Sequence, residues 1–500
     1  MMEEQNNNEV PTCESTTPQN LSAETTAVVS NTANYTADKA KNQSTNDENT
    51  QFYSGEKLIY GSLAFYLIKN YNIVTIDDML YIYIKGIYVN DVKQIERLIL
   101  NYAPNAKPAE IKTVLTHLRI KSPEVERSTP NFVAFINCIV NIDTLEMIDF
   151  DPKKYIITNR VYTYYRPESL EEDSPHLSIV KSYLHSLSCN NFELETLYLQ
   201  IYGYCMVNKF NEQRAFLLKG NTNNGKSTFL KTIEKSLRKH CSHLSLEELS
   251  NRKSLSDLFN CTANIVDDTG QPKKFNLEQI QSIVTGGTIP IKQNNGSTVE
   301  FEPTATLLIA TTKTLYFKNF NDSFTRRFIV VPFNANFETE YNKNMQDEIC
   351  NIENLSILAT MAIQAYSVIS KTGSFTVPKF VEEDTQKYFY ESNPILEFVK
   401  KHPIARLMIK GEYIAKYKKW CEDNGKTAVA DNVFGKKLID LGYYKSADPS
   451  FDGIRNDYYA VLNFNADAFR NEYVDFNSKN PGKIRDIFAY IDYLNKQNGL

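Results

Sequence analysis

Between residues 215 and 335, short apolar runs alternate with stretches of helical spacing. The runs Ala215–Lys219, 263–267, Thr306–Thr311 and Phe328–Pro332 are continuously apolar rather than alternating. A strand with water on one face alternates polar and apolar side chains. Continuous runs therefore predict strands buried on both faces, as in a parallel sheet covered by helices. Upstream, Val92–Tyr102 and 109–120 carry helix-like spacing, 132–148 and 159–165 read as strands, and 177–206 returns to helix. Downstream, 354–371 is helical and 391 to about 462 is a compact α+β segment.

Residues 1–52 hold hardly any large apolar side chain, so ordering them would cost more entropy than burial returns; a disordered tail is expected. The pattern then divides into an N-terminal α+β domain (53–185), a helical lead-in (186–214), a core of alternating strands and helices (215–345) and a helical segment (346–390). A compact α+β module (391–462) and a polar tail (463–500) complete a multidomain α/β chain. Such a division suits 500 residues, too many for one core.

Composition adds little except by exclusion. The net charge of −5 means that any nucleic-acid contact must rest on local basic patches. Eight cysteines lie far apart, without zinc-type spacing, and read as reduced residues of a cytoplasmic protein. The polar start lacks a signal-peptide core, and no run of about eighteen continuous apolar residues suggests a membrane span.

The candidate chemistry lies between the strands. Gly220-Asn221-Thr222-Asn223-Asn224-Gly225-Lys226-Ser227, followed by Thr228, fits G-x-x-x-x-G-K-[ST] between an apolar strand and a helical stretch. Such a loop turns its amides around phosphates. Lys226 would reach the β- and γ-phosphates of ATP, and the Ser227 hydroxyl would ligate Mg²⁺. The strand 263–267 ends in Asp267 and Asp268, 41 residues after Lys226. Asp267 is placed to hold the metal and Asp268 to act as general base. A hairpin is predicted around Asn295-Gly296, whose central positions favour positive φ, and Lys292 and Asn295 are its candidate DNA contacts. Thr312 ends the next strand near the expected γ-phosphate. Arg326-Arg327, directly before the last strand, offers an arginine able to reach a neighbour's nucleotide.

Taken together, these motifs resemble the superfamily III helicases, specifically the phage and plasmid primase–helicase family related to the poxvirus primase-helicase. The ordered match runs through Asn264-Ile-Val-Asp-Asp268, Thr285-Gly-Gly287, Leu307-Leu-Ile-Ala-Thr311 and Asp322-Ser-Phe-Thr-Arg-Arg327. It extends to Ile201-Tyr-Gly-Tyr204, Gly373-Ser-Phe-Thr-Val-Pro378 and Phe135-Ile-Asn-Cys138, where Cys138 replaces the family's glycine. The resemblance implies an AAA+-like hexameric ring that draws single-stranded DNA past the hairpin, with Arg327 as the arginine finger. It departs at Thr312, where the family usually has asparagine.

Residues 400–445 contain 11 Lys/Arg against 5 Asp/Glu. Tyr413, Ile414, Tyr417 and Trp420 share one helical face. Asp431 is expected to cap a second helix, with Phe434, Leu438 and Leu441 facing inward and Gly442 ending it. A following hairpin makes this a winged helix, similar to the module that closes these proteins, with Lys436, Lys437 and Arg455 toward duplex DNA. Three rival readings remain: a primase using Asp149-Phe-Asp151, a DNA-binding ATP switch, and a small-molecule kinase.

Overall fold

A computed structural model of the chain describes residues 52–170, 174–207, 212–267, 276–292, 298–315, 322–337, 345–404, 407–426, 428–448, 456–461, 466–481, 490 and 493–494. The expected tail 1–52 lies outside these residues except for its last, Phe52, which is buried against Tyr66 and Tyr102. The described residues form two compact units, one of residues 52–83 with Val89–Glu126, the other of Ile84–Tyr88 with the residues from Arg127 on. The expected domain 53–185 is therefore not one body. Its second half belongs to the larger unit, where Tyr165 and Leu177 share one apolar core with Phe216 and Leu358.

In the smaller unit, helices Tyr60–Tyr71, Val92–Tyr102 and Pro108–Lys121 bury Leu63, Leu67, Ile95, Ile99, Val114 and Leu118. The Asp91 carboxylate caps the second by accepting the Gln94 amide at 3.0 Å. Strand Val74–Ile76 pairs with Met79 onward through a two-residue turn. Asp77 and Asp78 take φ of 48° and 60° there, the paired positive values that match the twist of a hairpin.

The larger unit is built on a five-stranded parallel sheet: β1 (Ala215–Lys219), β2 (Cys241–Ser242), β3 (Ala263–Val266), β4 (Thr306–Thr311) and β5 (Phe328–Pro332). Their order is β2-β3-β4-β1-β5. The four strands expected from continuous apolar runs are present and buried except at Lys219, and β3 ends at Val266 with Asp267 exposed just beyond it. The fifth, β2, escaped the pattern because two residues, one a serine, make no run. Helix α1 (Lys226–Leu237) leads out of β1.

The helical stretch expected over 177–206 forms as two helices, Pro175–Ser188 and Phe192–Tyr204, separated where Cys189 and Asn190 take positive φ. The second packs against helix Ile352–Thr372. That helix is long and apolar enough to cross a membrane by length and composition, but 67% of its apolar window is buried inside the protein. Residues 159–165, expected as a strand, are irregular and make one bridge, Ala134 to Arg160. Helix Lys379–Glu391 lies along β5, where the Thr385 hydroxyl accepts the Val330 amide at 3.0 Å and satisfies an edge-strand donor.

Toward the C-terminus, helices Pro394–Lys401, Lys410–Asp423 and Asp431–Asp440 pack with strands Leu407–Ile409, Tyr443–Asp448 and Asn456–Val461. Phe398, Tyr413, Tyr417, Trp420 and Phe434 form the core, and Tyr417 stacks on Phe434 with centroids 4.3 Å apart. Two expectations fail here. Asp431 is the first helical residue rather than the cap, and its carboxylate pairs with Lys418 at 2.7 Å. Leu441 is 39% exposed, because the helix has ended at Asp440 and the chain turns at Gly442 with φ of 90°.

Candidate functional site

The loop after β1 is shaped by close approaches that only small residues permit. A Cβ on Gly220 would lie 2.2 Å from the Phe333 carbonyl oxygen, and one on Gly225 2.5 Å from Leu187 Cδ1. Gly225 also carries φ of +81° and Asn223 φ of 58°, so the chain reverses within four residues. The segment after β5 braces the turn. Phe337 N–H donates to the Asn223 carbonyl at 3.1 Å, and Asn224 Nδ2 to the Ala335 carbonyl at 2.5 Å.

Lys226 opens α1. It is buried, and its Nζ donates to the carbonyls of Gly220 at 2.8 Å and Asn221 at 2.6 Å. The ammonium thus lies across the mouth of the loop, where a phosphate would meet it. No acid of the helix itself occupies the first turn of α1, whose N-terminus carries partial positive charge. Ser227 comes next, and its Oγ lies 3.3 Å from Asp267 Oδ1. This apposition joins the loop to the end of β3, although β4 stands between β1 and β3. A hydroxyl and a carboxylate are hard oxygen donors of the kind Mg²⁺ takes, with water and phosphate oxygens completing its shell. Asp268 lies outside the described residues.

The intervening β4 ends between the two. Thr311 is buried, donates from Oγ1 to the Lys313 carbonyl at 2.7 Å and passes its own carbonyl to the Gly220 amide at 3.4 Å. Thr312 is exposed at that tip. The carboxyl ends of β1, β3 and β4 therefore gather Lys226, Ser227, Asp267 and Thr312, the edge at which open α/β sheets bind ligands.

Arg327 is elsewhere. It precedes β5, so it sits at the amino end of the sheet, where its carbonyl accepts the Ala215 amide at 2.8 Å. Pro332 is in register with Lys219, and five residues of strand put Arg327 ~16 Å from that edge. Arg214 stands at the same level before β1 and donates to the Arg326 carbonyl. Burial, then Arg326 and Arg214, push the Arg327 guanidinium pKa down. Arg214 was missed in the sequence. Its signal was its place directly before one parallel strand, matching that of Arg327 before the neighbouring one.

The hairpin exists, with Ile289–Lys292 antiparallel to Thr298–Phe301. A two-residue Asn-Gly turn would set Lys292 against Val299. Lys292 instead pairs with Thr298, so the connection has an odd number of residues. Asn295 lies outside the described residues, as does the side chain of Lys292. In the C-terminal module, Lys436 is exposed and Lys437 half-exposed, and Arg455 falls outside the described residues.

Residues 29–189 match a family model described as "D5 N terminal like" and residues 218–327 one described as "Family of unknown function (DUF5906)". No curated protein matches the sequence. Among solved structures, an A-form apo structure of the NrS-1 C-terminal region shares 14% identity at a TM-score of 0.43, over 80% of this chain and 98% of that one. A second apo structure of that region shares 14% identity at 0.44, over 83% and 100%. Likeness at this level carries neither fold nor activity across. Of the motifs quoted from the sequence, only Phe135-Ile-Asn-Cys138 lies within the D5-like match, whereas the loop from Gly220 and the segments 264–268, 285–287, 307–311 and 322–327 lie in or next to residues 218–327.

Proposed function

We propose that this chain is the helicase subunit of a phage, plasmid or integrated-element replication system, driven by Mg²⁺-ATP. The observation that carries the reading is the meeting of Ser227 with Asp267, at 3.3 Å, under a glycine-shaped loop whose lysine lies across its mouth. In this reading Lys226 neutralises the β- and γ-phosphates, Ser227 and Asp267 hold the metal, Asp268 takes a proton from the attacking water, and Thr312 faces the γ-phosphate. Arg327 completes the site of a neighbouring subunit in a superfamily III-type hexameric ring. The hairpin of residues 289–301 touches the single strand, and the winged helix touches duplex or fork in the cytoplasm of a host cell. The D5-like match to residues 29–189 supports the primase–helicase kinship.

Strand displacement on forks carrying 5′ or 3′ tails tests the reading, with ATP and with Lys226→Ala as the inactive control. ATP hydrolysis without displacement on either fork would favour the ATP-switch reading instead. The rival primase reading would rest on Asp149-Phe-Asp151, and primer synthesis on a single-stranded template tests it. The Asp151 carboxylate caps a turn by accepting the Lys153 amide at 2.8 Å, and the intervening Phe150 ring lies under Arg160.

A further inference from the structure

Beside the loop opens a cavity of about 320 Å³, walled by Gly220, Asn221 and Asn224, by the end of β5, and by helix Lys379–Glu391. Its size falls within the ~300–1,000 Å³ of ordinary small-molecule sites. Its floor is apolar and rigid. Val330 and Phe333 are buried, and Tyr388 is held by its hydroxyl, which accepts the Leu315 amide at 2.9 Å. Lys219 Nζ stands 4.9 Å from the centre of the Tyr388 ring.

The charges at the rim decide what this space can take. Lys219 and Lys387 are matched by Asp384 and Glu391. A polyphosphate site gathers cations and amides, and two carboxylates in its wall would oppose the phosphates. An uncharged group rich in O–H and N–H donors has the opposite preference, because ionised carboxylates only accept hydrogen bonds. The sugar and base of a nucleotide are such a group. Asp384, Lys387 and Glu391 also recur at three- and four-residue spacing, so one face of one helix supplies the polar rim.

We propose that this cavity takes the nucleoside half of the nucleotide whose phosphates the loop holds, with Asp384 and Glu391 accepting from sugar hydroxyls or the base amino group. The inference rests on the phosphate-loop reading under Proposed function and adds to it the site of base and sugar recognition. Helix Lys379–Glu391 thereby becomes a specificity element.

The test compares ATP with inorganic triphosphate as ligands of the full chain, by calorimetry. In Asp384→Ala/Glu391→Ala, ATP affinity falls on the order of tenfold while triphosphate affinity holds or rises, since the hydrogen bonds lost are to the nucleoside and the carboxylates removed only oppose phosphate. Asp384→Asn/Glu391→Gln, which keeps side-chain size, moves ATP affinity in the same direction, and melting temperatures stay at the wild-type value. Unchanged ATP affinity overturns the proposal. Equal losses for ATP and triphosphate also overturn it, because the rim would then be serving phosphate. A wild-type chain that binds neither ligand overturns the phosphate-loop reading first, and the cavity assignment with it.

Discussion

At the scale of single residues, the site depends on where one cation is held. Lys226 Nζ is already tied to two loop carbonyls, so the lysine is positioned before any nucleotide arrives. Lys226→Ala removes the cation from the loop mouth, and we expect ATP turnover to fall to background in a phosphate-release assay. Asp268→Asn keeps shape but loses the base, so nucleotide binding should survive while hydrolysis stops. Near-normal turnover in either variant would mean that the chemistry lies elsewhere. A second residue-scale effect concerns stability. His240 is buried, gives Nδ1 to the Asn260 carbonyl at 2.9 Å, and stacks on Tyr162. Burial, with Lys239 and Arg160 nearby, pushes its pKa down to about 4 against the bonded carbonyl's upward pull. The unfolded chain therefore binds more protons than the folded one between about 6.5 and 4. Stability is full above that window and falls as the pH drops through it, by up to ~3 kcal/mol. His240→Asn should flatten urea-midpoint stability across pH 6.5 to 4 relative to wild type; an unaltered slope would show that other groups dominate the acid limb.

At the scale of elements, the difference between what the pattern foretells and what forms has physical causes. The four long strands of the sheet were legible because burial on both faces leaves a continuous apolar run. β2 was not, since a two-residue strand has no period to detect. The loop with Lys226, and the Asp267 that comes to lie beside Ser227, stood out in the sequence because their residue types and spacing form one motif. The Lys379–Glu391 wall of the cavity was not, since its charged face reads as an ordinary solvated helix. Asp431 misled for a related reason: a helix-initiating acid has the same composition whether it caps the backbone or pairs with Lys418. Gly203 gives an element-scale test. A Cβ there would lie 2.3 Å from the Ala362 carbonyl oxygen on the facing helix. Alanine normally favours a helix over glycine by ~1 kcal/mol, yet backbone cannot retreat cheaply. Gly203→Ala should therefore destabilise by ~1–3 kcal/mol in chemical denaturation. A stabilised variant would show that the two helices can separate at little cost. In the C-terminal module, Lys436→Ala with Lys437→Ala should weaken duplex binding and reduce its salt slope, by about 0.9 for each phosphate no longer neutralised. An unchanged slope would point to a protein-binding role for that helix.

At the scale of the whole molecule, the sheet separates two sets of charges that one reaction would need. Lys226, Ser227 and Asp267 stand at its carboxyl edge, while Arg214, Arg326 and Arg327 stand at its amino edge. A strand of five residues lies between, ~16 Å of rigid backbone, so Arg327 cannot reach the loop of its own chain without dismantling β5. If the arginine serves hydrolysis, it serves it in another copy. We expect Arg327→Ala to bind ATP with near-wild-type affinity, to assemble, and to hydrolyse slowly, by a factor on the order of 10³ if it acts as such arginines do elsewhere. Mixing makes the geometry testable. Combining Arg327→Ala with Lys226→Ala subunits creates interfaces where an intact Lys226 faces an intact Arg327, and each such interface is one complete site. Turnover in the mixture should then exceed that of either variant alone and vary with the mixing ratio. An arginine acting within its own subunit predicts otherwise, because every site in the mixture would still lack one essential group. Absence of recovery, with subunit exchange verified by fluorescence transfer between labelled variants, would remove Arg327 from the neighbour's site and with it the main argument for a ring.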